Sequence, residues 1–435
     1  VSAARRLAEP APEQARDCFL DALEMSLVVG RAGGVVDEVL TAARTAPPPR
    51  EPDLLAALLT LTEDGYRTAL PLLRTALHAE GGPLWSRRPA LASMISTELW
   101  DLDTHFAIAE WLVKTGRESG SPPLLRLAFS QQAMAAALTG DLGQALAATA
   151  EEAAVADAVG EPPLLHHRLH LAAVRGRREE TLDLLALGTT ATGTEQVASL
   201  HWSAAVLHNG LADHPAALAA ARRATEHGDL FLTGAALPEL VEAAVKCHEP
   251  AEAARALDAL TERTQAAGTA LGHGVTAYAR GLVTGEEDDY REAVDCLANA
   301  PLRPYQARAH LLYGEWLRRR GRRKDCLHEL RTAHDLFAAA GAEAFAARAE
   351  EQLRAAGHRV GRPLAPAHDQ LTMQQLAVAR LVAAGATSNE VATQLFISKR
   401  TVDAHLRAIF QKLGVISRRQ LRDHPGLRRD DDHAR

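Results

Sequence analysis

Apolar residues along the first 355 positions recur at helical rather than strand spacing, and the amphipathic runs are broken at an even interval. Residues that end one run and open the next fall at Gly30, Gly65, Asp101, Gly140, Gly176, Gly210, His248, Gly285 and Gly321, separated by 35, 36, 39, 36, 34, 38, 37 and 36 residues. A two-helix unit repeated every 34 to 40 residues is the pattern of an α-solenoid, in which each hairpin buries its face on the next. The last unit is the clearest, with a helix predicted over 306–320, a turn at Gly321, a second helix over 324–340 and a further one over 343–355. Ala307, Gly314 and Ala333 let its helices approach closely, while Leu311, Leu312, Leu317, Leu327, Leu330, Leu336 and Phe337 fill the core. The unit at Gly140 repeats this small-residue spacing in Ala145, Ala148 and Ala153.

The small and large positions of the last unit resemble those of tetratricopeptide repeats, although few consensus residues of that repeat recur in the earlier units. Where the next break falls due, near Gly357, the text becomes GHRVGRPLAPAHDQ, with Pro363 and Pro366 and no apolar period. Residues 1–355 therefore read as the helical-repeat region and 356–370 as a linker. Residues 371–424 form a separate module, and 425–435 a charged tail.

Helix signals in the module are dense. Thr372 with Gln375 makes a capping box for a helix running to about Ala384, closed by Gly385, and Thr387 with Glu390 makes a second box for a helix to about Leu395. Phe396 and Ile397 form a turn, Ser398 caps a third helix, Gly414 ends it with Val415 folding back, and Ser417 caps a short fourth helix. At 100° per residue, Val402, Leu406, Ile409 and Leu413 share one face and must meet a core. The opposite face carries Arg400, Asp403, Ala404, Arg407 and Gln411. Two helices joined by so short a turn are a device for laying the second in the DNA major groove. Arg407 suits guanine there, Asp403 the amino group of cytosine, and Ala404 a thymine methyl. Ser388, Lys399, Lys412, Arg418 and Arg419 are placed for phosphates.

These elements resemble the four-helix DNA-binding domain of LuxR-type transcriptional regulators. The matching residues are Leu371-Thr372, Leu381-Val382-Ala383, Gly385, Glu390-Val391-Ala392, Leu395, Ile397-Ser398, Thr401-Val402, His405-Leu406, Ile409-Phe410, Lys412-Leu413-Gly414-Val415 and Ser417-Arg418. The resemblance implies that Asp403, Ala404 and Arg407 face bases and that the fourth helix helps form a dimer. Two departures stand out. Met373-Gln374-Gln375 replaces the usual Pro-Arg-Glu, removing an ion pair, and Asp403 stands where a basic or polar residue is common. The Ala/Leu repeats, the LLYGEWLRRRGRRKD segment before the reader, and their order are similar to the C-terminal half of large ATP-binding LuxR-type regulators. No phosphate loop of the G-x-x-x-x-G-K-[S/T] type occurs, since the stretch Gly30–Gly34 lacks the lysine.

Composition agrees with an all-α chain, 47% hydrophobic but 4% aromatic. The net charge of −7 divides unevenly: residues 371–422 hold eight basic and two acidic side chains, so a basic module sits on an acidic body. Cys18, Cys247, Cys296 and Cys326 lie far apart without metal-binding spacing and read as reduced thiols. No apolar run approaches a membrane span and no signal-peptide core opens the chain, so a cytoplasmic location is expected. His166, His167 and His170 share a helix without a neighbouring acid or cysteine and read as a solvated or partly packed face rather than a metal site. The acidic pairs Glu151-Glu152 and Glu179-Glu180, and the run from Glu286 to Asp289, read as helix starts or exposed faces. No catalytic residue, cofactor or metal is expected.

The reading is thus an α-solenoid with a LuxR-type reader. It is a sequence-specific regulator, an activator if the resemblance holds. It would act on double-stranded promoter or operator DNA as a homodimer, with RNA polymerase or a protein or small-molecule effector on the solenoid's concave groove. The alternatives are an interaction scaffold without specific reading, or the C-terminal fragment of an NTPase switch.

Overall fold

The computed structural model describes residues 1–422 apart from 30–34, 50–52, 79–83, 192–197, 227–232, 359–370, 396, 414 and 416. Gly30, Phe396, Gly414, most of the expected linker and the charged tail lie outside the described residues. Among those described, 24 α-helices and no strand are present, as an Ala- and Leu-rich chain with few aromatic or β-branched runs requires.

From Pro122 onward the helices pair in chain order. Pro122–Thr139 packs on Leu142–Val159, Leu165–Val174 on Arg178–Ala191, Ala198–Gly210 on His214–Thr225, Thr233–Lys246 on Pro250–Ala267, Ala270–Thr284 on Glu287–Leu297, and Arg303–Arg319 on Arg323–Ala339. One left-handed residue turns each pair: Gly140, Gly176, Ala212, His248, Gly285 and Gly321, with Gly357 after the last helix, Glu343–Ala355. These positions stand 36, 36, 36, 37, 36 and 36 residues apart. Gly210, the expected break, is instead the last residue of a helix, and Ala212 takes the positive φ of 57°. That shift of two residues replaces the uneven expected spacings of 34 and 38 by a regular period. Similarly, Trp100 holds the left-handed conformation next to Asp101, whose carboxylate caps the following helix by accepting from the Thr104 amide at 3.1 Å.

The hairpins curl so that distant turns meet. A Cβ on Gly140 would stand 2.7 Å from that of Ala340, one on Gly176 would stand 2.8 Å from that of Ala344, and one on Gly210 would stand 3.0 Å from the same atom. Small residues at these turns therefore admit the chain around Ala340–Phe345 against hairpins well over 100 residues earlier. The first helices of several hairpins converge on a buried set of charges. Arg308 donates to Glu242 at 2.8 Å and to Glu239 at 3.0 Å. Arg348 donates to Glu242 at 2.6 Å, to Glu315 at 2.8 Å and to the Asn209 carbonyl at 3.0 Å. Lys246 reaches Glu315 at 2.5 Å. Three cations meet three carboxylates, so these buried charges neutralise one another inside the body.

His167 and His170 are buried in Leu165–Val174 rather than solvated. The His170 ring stacks on Trp202, with centroids 4.4 Å apart, and its Nδ1 lies 3.2 Å from Ser203 Oγ. Glu152 is likewise buried, accepting from Arg126 Nε at 2.9 Å, and is no exposed acid. The four cysteines are free thiols. No described helix is long and apolar enough to cross a membrane, and no described group of three or more His, Cys, Asp or Glu could hold a metal ion.

Candidate nucleic-acid interface

Four helices close the chain: Met373–Ala383, Ser388–Gln394, Lys399–Leu413 and Arg418–Arg422. Local chemistry sets each start. Thr372 Oγ1 accepts from the Gln375 amide at 3.3 Å while Gln375 Oε1 accepts from the Thr372 amide at 3.2 Å. Thr387 and Glu390 reproduce the reciprocal pair at 3.3 and 2.7 Å. Because its carboxylate accepts from the Thr387 backbone and hydroxyl, Glu390 is held below its ordinary pKa. Ser398 Oγ accepts from the Thr401 amide at 3.1 Å, and Ser417 Oγ from the Gln420 amide at 3.2 Å. Past the third helix, the Val415 amide donates back to the Phe410 carbonyl at 3.1 Å.

The third helix divides as its wheel requires. Val402, Leu406 and Ile409 are buried and Leu413 is partly so, in one apolar cluster with Leu376, Val378, Ala379, Val382, Val391 and Leu421. Arg400, Ala404, Arg407 and Gln411 are exposed on the far side, Asp403 is half-buried at its edge, and Lys399 is exposed at the helix start. Arg419 is exposed on the fourth helix.

Three expected contact residues are engaged inside the bundle. Ser388 is buried, and its hydroxyl donates to Asp403 Oδ1 at 2.8 Å while accepting from Arg418 Nη2. Arg418 Nη1 also donates to the Ala386 carbonyl at 3.4 Å. Lys412 donates from Nζ to Gln375 Oε1 at 2.8 Å. Gln375, in place of the ion-pairing residue of the resembled domain, thus caps its own helix and tethers the third by a charge-assisted hydrogen bond from Lys412 to its neutral amide.

The bundle does not stand apart from the rest. Met373–Ala383 lies on Leu142–Val159, where Ala136, Ala137, Leu142, Ala145, Leu146 and Leu171 share the apolar cluster of the four helices. Arg380 Nη1 reaches Asp141 at 3.3 Å, and its guanidinium covers Gly143, where any Cβ would overlap it. This seat was not anticipated. The apolar face of Leu142–Val159 signals burial, but nothing local names a partner more than 200 residues later. The seat uses the first helix, leaving the exposed side of Lys399–Leu413 uncovered.

Residues 369–424 match the family model for bacterial regulatory proteins of the luxR family, GerE. A protein of Mycobacterium bovis named as an HTH-type transcriptional regulator is 37% identical over 94 residues, which are 21% of this chain and 11% of that protein. One from Mycobacterium tuberculosis shows the same identity and coverage. A nitrate/nitrite response regulator protein homolog of Haemophilus influenzae is 44% identical over 50 residues, 12% of this chain and 24% of that protein. The matches therefore span about a tenth to a quarter of these relatives. The helix order, the two capping boxes and the divided third helix define a helix-turn-helix module. The C-terminal segment is a helix-turn-helix domain of the LuxR family.

Proposed function

We propose that this chain is a DNA-binding transcriptional regulator, with residues 371–424 as reader and 1–355 as a tetratricopeptide-like sensor or protein-interaction region joined to it by 356–370. The observation that carries the reading is the third reader helix. It has one buried apolar face and one exposed face bearing Arg400, Ala404, Arg407 and Gln411, with Asp403 at the edge. Such a helix presents guanidinium, amide and methyl groups to base edges. Lys399 and Arg419, exposed at the ends of the bundle, supply phosphate contacts, Lys412 and Arg418 add the donors their internal bonds leave over, and Ser388 joins them by exchanging an internal bond. Activation of a promoter, dimerisation through Arg418–Arg422, and an RNA polymerase or effector contact on the body complete the proposal.

The test is a salt titration of the full chain and of Arg407→Ala on duplex DNA from the region upstream of its own coding sequence, against random duplex. A steep fall of affinity with salt, with preference lost in Arg407→Ala but weak binding kept, supports the reading. Absence of any preference on that DNA and in a selection from genomic fragments overturns it in favour of an interaction scaffold.

A further inference from the structure

Asp403 departs from the resembled domain by placing a carboxylate on the groove-facing helix, and the structure shows what it touches. Ser388 lies at the start of the second reader helix with its side chain buried. A serine hydroxyl has one proton, and here it points to Asp403 Oδ1 at 2.8 Å. The hydroxyl oxygen is then left to accept, and Arg418 Nη2 of the fourth helix donates to it. The result is a one-way chain, guanidinium to hydroxyl to carboxylate, in which each bond polarises the next. It ties three of the four reader helices together through side chains 15 and 30 residues apart. No described residue donates to the other Asp403 oxygen, Oδ2.

A free aspartate on a groove-facing helix has two costs. It loses rotamer freedom on meeting a base, and its charge repels the phosphates on either side of the groove. The chain reduces both. The Ser388 bond fixes the rotamer before DNA arrives, and the Arg418 charge behind the hydroxyl offsets the carboxylate. What remains is one oriented acceptor. In the major groove an acceptor distinguishes base pairs by their exocyclic amino groups, those of cytosine and adenine, and is repelled by guanine O6 and thymine O4.

We propose that Ser388 and Arg418 are positioning residues for base choice, clamping Asp403 so that one carboxylate oxygen selects an exocyclic amino group at a single base pair. This rests on the DNA-reading function proposed above. It makes the fourth helix, through Arg418, part of the specificity of the third.

The experiment is a selection of duplexes from a randomised pool by the full chain and by Ser388→Ala, Ser388→Thr, Asp403→Ala, and the double variant Ser388→Ala/Asp403→Ala. Salt dependence and thermal unfolding are measured on the same samples. The expected result is that Ser388→Ala and Asp403→Ala each lower discrimination at the same base pair by about tenfold, leaving the other positions unchanged. Ser388→Thr, which keeps the hydroxyl, restores it, and the double variant is no worse than Asp403→Ala alone. A Ser388→Ala profile identical to wild type, or one weakened equally at every position, overturns the proposal and leaves Ser388 a structural residue. If the unaltered chain selects no sequence while remaining folded, the DNA-reading function itself fails, and that outcome is distinct from failure of the clamp alone.

Discussion

Replacing Glu242 by Gln removes one negative charge from the centre of the buried network while nearly preserving shape. Glu242 is wholly buried and accepts from Arg308 Nε at 2.8 Å and Arg348 Nη1 at 2.6 Å. Arg308 would retain Glu239 at 3.0 Å, and Arg348 would retain Glu315 at 2.7 Å. Breaking a buried pair on one side costs about 3–5 kcal/mol, because the abandoned charge stays out of water. With both guanidiniums keeping a second carboxylate, the lower end applies, about 3 kcal/mol or roughly a hundredfold in the folding equilibrium. The matched control is Glu252→Gln. That carboxylate also holds an arginine, Arg222, at 2.6 to 3.1 Å, but with the Arg222 side chain 49% exposed. There the expected loss is below about 1 kcal/mol. Urea unfolding followed by circular dichroism measures both, and hydrogen exchange locates the Glu242→Gln loss in Ala198–Gly210, Thr233–Lys246, Arg303–Arg319 and Glu343–Ala355. Equal, small losses for the two variants would refute the claim that this network closes the curled body.

The remaining predictions concern acid, the seat of the reader and a cap. Burial raises the Glu315 carboxyl, but Arg348 and Lys246 outweigh it and hold it down to about 2, while Arg308 and Arg348 hold Glu242 well below the usual range despite its burial. A carboxyl depressed in the folded state stabilises above its unfolded value and loses that contribution as pH falls, here from about 4.3 towards 2. Burial lowers His105 and His170 to about 4, so each also withdraws stability as pH falls from about 6.5 to 4, at about 1.4 kcal/mol per pH unit. Unfolding midpoints measured from pH 8 to 3 should therefore begin to drop near pH 6.5 and keep falling to pH 3, the carboxylates taking over from the histidines near pH 4. Leu146→Ala cuts a buried side chain from the cluster the body shares with the reader, and should cost about 2–3 kcal/mol. It should also speed hydrogen exchange in Met373–Ala383, and unchanged exchange there would place the reader off this seat. Thr387→Ala removes the hydroxyl of the second capping box and should lower reader stability by about 1 kcal/mol, read as an earlier loss of ellipticity on heating.

What the sequence by itself determined is local. Caps join residues three apart, so Thr372 with Gln375, Thr387 with Glu390, Ser398 with Thr401 and Ser417 with Gln420 were all legible before any tertiary contact was known. The divided face of Lys399–Leu413 follows from helical periodicity, and the period of the body was visible to within two residues, because a left-handed turn favours Gly so strongly. Ala212 and Trp100 show the limit of that signal, since residues that carry side chains take the positive φ there. Tertiary structure alone decided the rest. In sequence, Glu242, Arg308, Glu315 and Arg348 look like solvated positions on Ala-rich helices. They are buried because the curl of the body brings residues 66 and 106 apart into contact, where only mutual neutralisation makes burial tolerable. The seat of the reader on Leu142–Val159 and the Arg418–Ser388–Asp403 chain have the same origin. Periodicity reports which face of a helix is buried, and only the three-dimensional path of the chain supplies the partner.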